Sequence, residues 1–309
     1  MKQLVRRALD ALADRLAPRI AARLASSIPS SGATTVIVPT AAPPAYFVGN
    51  DRFYTHTSDG HRIFLDANDM HITLHVLEHG NWEPQVREVM MLLLKPGDTF
   101  VDVGGNVGLH ALFGASIVGP TGQVHSFEAL PRMAELIRLN AEVNGMNNVT
   151  VHNLAVADVR GRLKFADFKS HAAMSGFAVH DLRLEMFAKE NPEAVDHIEV
   201  DATTIDDELV GKRVDLIKAD IEGFEALMLK GARRTLTDNP DIALILEWNP
   251  LTAEAVLPSS TEMTLQVIRE QRFNVHLALF GQPLRAVSAD DLPTLAGDIV
   301  LTRGDQLRR

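Results

Sequence analysis

Apolar positions along most of this chain alternate between two spacings. Seven short apolar runs of strand length are separated by stretches in which apolar residues recur every three or four positions. The predicted strands are Thr99–Val103, Gln123–Phe127, Val149–Asn153, Val214–Asp220, Ile242–Trp248, Phe273–Leu279 and Asp298–Thr302. The predicted helices are Leu109–Val118, Pro131–Asn144, Phe224–Leu236 and Thr261–Gln271. This alternation is typical of an α/β fold whose buried, mostly parallel sheet carries helices on both faces.

The region before this alternation follows other patterns. Residues 46–72 alternate weakly between apolar and polar, with turn sequences at Asp59-Gly60 and Asn68-Asp69, which predicts a lead-in of β-hairpins. Residues 82–94 have helical spacing, and that helix is expected to end at Lys95-Pro96-Gly97. We therefore expect one α/β domain over residues 46–309.

Residues 2–25 have the pattern of a separate amphipathic helix. Apolar residues recur every four positions, at Leu4, Ala8, Leu12, Leu16, Ile20 and Leu24. Six basic and two acidic residues give the segment a formal charge of +4, whereas the whole chain carries −10. Such a helix can pack on the body, pair with a second copy or lie on an anionic membrane surface. The sequence thus predicts a helix within residues 1–30 and a linker over residues 31–45.

Composition narrows the function classes. The chain of 309 residues contains no cysteine, which excludes disulfides and thiolate metal sites. A net charge of −10 argues against a nucleic-acid partner, which would require a basic surface. No apolar run approaches the ~20 residues that span a bilayer, and no signal-peptide pattern is visible. We therefore expect a cytoplasmic protein, with self-association or peripheral membrane contact through residues 2–25 as open alternatives.

The strongest candidate for a binding site is the turn in FVDVGGNVG, residues 100–108. Gly104, Gly105 and Gly108 follow a strand and precede a helix, which lets a ligand approach the backbone closely. Asn106 stands where a dinucleotide-binding fingerprint has its second glycine, so a pyrophosphate is disfavoured. Asp102 can hold a water molecule or an ammonium group. This pattern favours a ligand with an amino-acid end.

Glu128 ends the next predicted strand. A carboxylate at this position can accept hydrogen bonds from both hydroxyls of a ribose. A ribose, an adenine and a zwitterionic methionine tail together describe S-adenosylmethionine. The sequence therefore predicts this cofactor for the turn and Glu128.

Later strands also end in polar residues. Asp220 and Glu222 follow the strand VDLIKA, Glu247 ends the next one, and such strand ends meet at one edge of a parallel sheet. These carboxylates can act as a general base, orient a hydroxyl or hold Mg²⁺. Asp220 is the first choice for the base, and His171, in the loop 169–177, is the second. Glu225, in the first turn of the next helix, is assigned a structural role.

The motif series as a whole resembles a known family. The runs FVDVGGNVG, SFEALP, NNVTVHNLAVAD, IKADIEGFEALMLKGA and LILEWNP are similar to the FkbM-type S-adenosylmethionine-dependent methyltransferases. The similarity spans residues 70–305 and includes Gly80–Glu83 and Leu94–Phe100 upstream of the first strand. Two positions depart from the family pattern: Gly105 replaces a commoner alanine, and Ala129 replaces a frequent proline. Residues 1–45 lie outside the resemblance.

The resemblance implies a Rossmann-like class I methyltransferase fold with a seven-stranded sheet. It also implies roles for individual positions. Those at or near the cofactor are Glu83, Asp102, Gly104, Gly105, Asn106, Gly108, Glu128, Asn153, Leu154, Ala155 and Asp220. Within this set, Glu83 is expected to close the cofactor end, and residues 153–155 to lie beside adenine. Those bordering the acceptor are Asp220, Glu222 and Glu247.

The expected activity is O-methylation of a hydroxyl on a sugar, a glycan or a secondary metabolite. Three alternatives stay open: N-methylation of a small amine, a cofactor-binding module without catalysis, and a nicotinamide dehydrogenase. The missing middle glycine disfavours the dehydrogenase, and the intact carboxylates disfavour the inactive module. A metal-free base is favoured over Mg²⁺ held by Asp220, Glu222 and Glu247.

Overall fold

The computed structural model describes residues 44–168, 175–177, 195–304 and 306–307. The helix and most of the linker expected before residue 44, and His171, lie outside the described residues. Within the described part of the chain, no helix combines the length and the apolar character needed to cross a bilayer.

The described chain forms the following elements. The strands are β1 Tyr46–Gly49, β2 Arg52–His56, β3 Arg62–Asp66, β4 Thr99–Val103, β5 Gln123–Phe127, β6 Val149–His152, β7 Ala155–Val156, β8 Gly161–Phe168, β9 Gly176–Phe177, β10 Val195–Thr203, β11 Leu216–Ala219, β12 Ala243–Trp248, β13 Asn274–Ala278, β14 Arg285–Val287 and β15 Gly297–Thr302. The helices are α1 Ile72–His79, α2 Pro84–Leu93, α3 Leu109–Val118, α4 Pro131–Val143, α5 Ile205–Glu208, α6 Glu225–Lys230, α7 Arg233–Asp238, α8 Pro250–Val256 and α9 Ser260–Glu270. A short 3₁₀ helix covers Ala289–Thr294.

A mixed sheet of eight strands forms the centre, in the order β14-β13-β15-β12-β11-β4-β5-β6. Strands β12, β11, β4, β5 and β6 pair in parallel, whereas β15 runs antiparallel to both β12 and β13. All seven predicted strands lie in this sheet, and the expected Rossmann-like, mostly parallel class is confirmed. The predicted strand number is wrong, because the three-residue edge strand β14 is too short and too exposed to show a pattern.

The strand residues alternate between the two faces of the sheet. Val101 and Val103 pack with α6, α7 and α9, whereas Phe100, which precedes them, packs with α2 and α3 on the opposite face. Helices therefore cover both faces, as the near-continuous apolar strands predict. The predicted helix Phe224–Leu236 is instead two short helices separated at Gly231. A Cβ at Gly231 would lie 2.2 Å from the Ala157 carbonyl oxygen, so the two helices are separated where the chain packs closely against the residue that follows β7.

The lead-in forms an antiparallel sheet of β1, β2 and β3, with the predicted turn at Asp59-Gly60. The turn between β1 and β2 was not predicted, and it uses Asn50 and Asp51 with positive φ. The second turn signal, Asn68-Asp69, begins helix α1 rather than a hairpin. Asp69 Oδ1 accepts hydrogen bonds from the backbone N–H groups of His71 and Ile72, which is how an aspartate starts a helix.

A second small sheet, in the order β7-β10-β8-β9, was not predicted at all. Arg132 on α4 connects this sheet to the lead-in. Its guanidinium donates two hydrogen bonds to Asp167 on β8, at 2.7 and 3.2 Å, and a third to Asp66 on β3. The planar fork of arginine suits this bidentate contact, so one side chain ties both small sheets to α4.

Candidate functional site

The strand register places the predicted polar residues in one row along the carboxyl edge of the central sheet. Glu128 N–H donates to His152 O, Gly104 N–H to Phe127 O, and Asp220 N–H to Val103 O. On the other side, Glu247 pairs with Asp298, and Asp298 with Ala278. The first residues after β6, β5, β4 and β11 are therefore neighbours, and the row continues into the last part of β12.

The glycine turn is packed tightly against its neighbours. Gly104 has φ +81°, and a Cβ there would lie 2.0 Å from the Asp220 carbonyl oxygen. A Cβ on Gly105 would lie 2.3 Å from Ser126 Oγ. Gly108, with φ +91°, begins helix α3. Gly104 and Gly105 therefore allow the end of β4 to pack closely against its neighbours. The absence of their side chains also leaves space for a ligand.

Glu128 holds the turn in place. Its side chain is 8% exposed, and its carboxylate accepts hydrogen bonds from the backbone N–H groups of Asn106 and Leu130, both at 2.8 Å. Burial raises the pKa of Glu128 to about 7 despite these bonds. Each carboxylate oxygen retains a second lone pair, so Glu128 can still accept from a ribose.

Ten of the sequence-predicted residues line one cleft: Glu83, Gly104, Gly105, Asn106, Glu128, Leu154, Ala155, Asp220, Glu222 and Glu247. Three others lie behind its wall. Asp102 is fully buried beside Ser126, Gly108 packs on Ile137, and Asn153 donates its amide hydrogens to the carbonyls of Glu128 and Ala129. Their geometry supports the turn rather than a direct side-chain contact with adenine or methionine.

Asp220, Glu222 and Glu247 form a compact carboxylate cluster. One oxygen of each lies within 4.8 Å of the others. Burial, followed by the charges of Asp220 and Glu222, raises the pKa of Glu247 well above its ordinary value. This raised pKa favours the protonated form of Glu247, which is hydrogen-bonded to Asp220. Glu225 accepts from the backbone N–H groups of Ile221 and Gly223, consistent with its assigned structural role.

The site also contains a cation, Lys218, that the sequence analysis did not identify. Lys218 on β11 is 4% exposed, and its Nζ lies 3.2 Å from Asp220 Oδ2. Although burial disfavours the charged form, the carboxylates of Asp220, Asp102 and Glu83 raise the pKa of Lys218. A lysine inside the apolar run VDLIKA was the only signal for it. The cleft is also lined by His71, Trp82, Phe165 and His110, which had no signal.

The unpartnered atoms of the site indicate which ligand group fits. Three atoms of residues that line the cleft, Glu83 Oε2, Asn106 Oδ1 and His110 Nε2, are buried without a hydrogen-bond partner in the described part of the chain. Carboxylate and amide oxygens accept hydrogen bonds, and the surrounding carboxylates outnumber Lys218. A cationic, hydrogen-bond-donating group suits this set. S-adenosylmethionine carries such an ammonium group and a sulfonium, so the residues fit it.

We expect Gly104→Ala to lower the free energy of unfolding by about 3 kcal/mol or more, because the new Cβ meets the Asp220 carbonyl in a left-handed conformation. Gly145→Ala is the matched control. It has a similar φ of +68° and nothing within 4 Å, so only the backbone strain of about 1 kcal/mol applies. Urea denaturation measures both, and equal losses would contradict the close packing of the turn on Asp220.

Comparison with known proteins agrees with this geometry. The sequence model of the methyltransferase FkbM domain family matches residues 102–275, which is more than half of the chain. The chain is 28% identical over 159 residues to the 31-O-demethyl-FK506 methyltransferase FkbM of Streptomyces tacrolimicus, covering 45% of this chain and 60% of that protein. It is 43% identical over 58 residues to a protein-L-isoaspartate O-methyltransferase of Ignicoccus hospitalis, covering 19% of this chain and 28% of that protein.

The matches therefore span less than two thirds of either relative. Among solved structures, a methyltransferase FkbM from Methylobacillus flagellatus KT is 16% identical, with a TM-score of 0.41 over 70% of this chain and 50% of that chain. The family match covers the glycine turn, Glu128 and the carboxylate cluster. The chain belongs to the FkbM family of S-adenosylmethionine-dependent methyltransferases.

Proposed function

We propose that this protein methylates a hydroxyl group on a sugar, a glycan or a secondary metabolite. When bound, S-adenosylmethionine supplies a methyl group on a sulfonium, which is already a good leaving group. The observation that carries the proposal is the carboxylate cluster, placed directly beside the glycine turn through the contact of Gly104 with Asp220. The glycine turn on one part of this row would therefore face the cofactor, and the carboxylate cluster beside it would face the acceptor.

Asp220 is the proposed general base. A hydroxyl is a poor nucleophile, so its proton must be removed as the methyl group is transferred. Lys218 forms an ion pair with Asp220, and Glu247, whose pKa burial raises, is hydrogen-bonded to the same side chain. Ile221 and Phe224 line the cleft beside it, and their apolar side chains help to exclude water.

The names of the relatives support an oxygen as the acceptor atom. The Streptomyces protein is named for 31-O-methylation, and the Ignicoccus protein for O-methylation of isoaspartate. An amine acceptor is the alternative, because the negative cleft also attracts a cation. A binding module without catalysis would have no need for the Lys218–Asp220 pair.

Binding of Mg²⁺ by Asp220, Glu222 and Glu247 is the less favoured version of the mechanism. The three oxygens are close enough to share an ion. However, the ion would have to compete with Lys218 for Asp220 and to displace the proton of Glu247. We therefore propose a metal-free base.

We expect Asp220→Asn to lower turnover on the order of 10²–10⁴-fold, because the amide keeps the shape of the side chain but cannot take a proton. Cofactor affinity, measured by calorimetry, should stay close to that of the wild type. Asp298→Asn is the matched control, since Asp298 is also half-buried in the row but accepts a hydrogen bond from Gln85 outside the cluster. Its turnover should change far less.

A chelator added to the same assay distinguishes the two mechanisms. Activity that persists supports the metal-free base, whereas loss that added Mg²⁺ restores would assign the cluster to the metal. Full turnover by Asp220→Asn, with or without chelator, would remove Asp220 from the reaction in both versions.

We also propose that residues 2–25 mediate self-association or contact with an anionic membrane, on the basis of their apolar stripe and charge of +4. Deletion of residues 1–30 should leave cofactor binding intact. It should reduce either the mass measured by light scattering or the fraction that sediments with anionic vesicles. A truncated protein that matches the full chain in both assays would exclude both roles.

A further inference from the structure

His110 is a buried histidine that the proposed reaction does not yet use. It is the second residue of α3, directly after the glycine turn, and it lines the cleft. Its side chain is only 5% exposed, and Nε2 has no hydrogen-bond partner among the described residues. A buried polar atom without a partner is costly, so it points to a missing group.

Glu83 faces His110 across a narrow gap. Glu83 Oε2, also buried and unpartnered, lies 3.6 Å from His110 Nε2. This distance is too long for a hydrogen bond. Glu83 is held at the start of α2 with a left-handed φ of +45°, a conformation that residues other than glycine rarely adopt. Glu83 at the start of α2 and His110 on α3 therefore each direct an unpartnered polar atom into the same gap.

The protonation states indicate what kind of group fills that space. Burial, with the nearby charges of Lys218 and Arg87, lowers the pKa of His110 well below its ordinary value, so the imidazole is neutral. With its proton on Nδ1, a neutral imidazole accepts a hydrogen bond at Nε2. Burial and the charge of Asp220 raise the pKa of Glu83 to about 8, so a cationic ligand would favour its ionised, accepting form. A positively charged group that donates to both atoms therefore fits the pair.

We propose that His110 and Glu83 together bind the ammonium group at the amino-acid end of the cofactor, with His110 Nε2 as an acceptor. An ammonium group has three donors and can bond to both atoms at once. This inference rests on the proposed function. Its consequence is that the pair distinguishes ligands with the amino-acid end from those without it.

Calorimetric titration with three probes tests this assignment: S-adenosylhomocysteine, its deamino analogue, and 5′-methylthioadenosine, which lacks the amino-acid end. His110→Phe keeps a flat ring but removes the acceptor. It should weaken S-adenosylhomocysteine binding about 10- to 100-fold, the range for a hydrogen bond to a charged group. Affinity for the other two probes should stay within about twofold of wild type, because they bring no ammonium.

Two further variants keep the test interpretable. Glu83→Gln, on the other element, should show the same pattern across the three probes. His125→Phe is the matched control, because His125 is also a buried histidine, 3% exposed on β5, but does not line the cleft. It should leave the affinity for all three probes unchanged. Melting temperatures confirm that each variant is folded.

Several results would overturn the inference. An unchanged affinity of His110→Phe for S-adenosylhomocysteine would mean that water fills the gap. An equal loss for 5′-methylthioadenosine would indicate general damage to the cleft, and an equal loss for the deamino analogue would assign the pair to the carboxylate or to packing. A wild-type protein that binds none of the probes would remove the proposed function, and the inference with it.

Discussion

The ion pair between the buried Lys218 and the half-buried Asp220 is the interaction on which the rest of the site depends. Lys218 lies on the central strand β11, and its register neighbour on β4 is Asp102. Both side chains are buried, and Glu83 also faces the cation. Removing one partner of such a group leaves an uncompensated buried charge, which usually costs about 3–5 kcal/mol. The positive charge of Lys218 therefore offsets the cost of placing several carboxylates at the centre of an apolar sheet.

The same arrangement divides the cleft into two chemical regions. On one side, the turn from Gly104 to Gly108 and Glu128 present backbone and acceptor atoms. On the other, Asp220 forms an ion pair with Lys218, and burial raises the pKa of the neighbouring Glu247. The contact between Gly104 and the Asp220 carbonyl fixes the separation of these regions, since both are parts of neighbouring strands. Alignment of cofactor and acceptor is thus a property of the sheet register, which is more rigid than a loop.

Much of this architecture could be predicted from local patterns. The strands β4 and β5 and the helix α3 have the predicted bounds, because apolar runs and glycine turns are visible in short windows. Lys218 and His110 could not be predicted, because their burial depends on which strand lies beside β11 and on how α2 approaches α3. Strand order does not follow sequence order here, since β11 pairs with β4. Helix α1 was missed because its aspartate start resembled a turn.

We propose that this row of strand ends binds S-adenosylmethionine, with Glu128 as a contact. The most direct measurement is a calorimetric titration of the wild type and of Glu128→Ala with S-adenosylmethionine, after thermal denaturation has shown that the variant is folded. We expect binding by the wild type and a loss of roughly 1.5–3 kcal/mol of binding free energy in the variant, the range for hydrogen bonds to a charged group. Equal affinities, or a wild type that binds NAD but not S-adenosylmethionine, would contradict it.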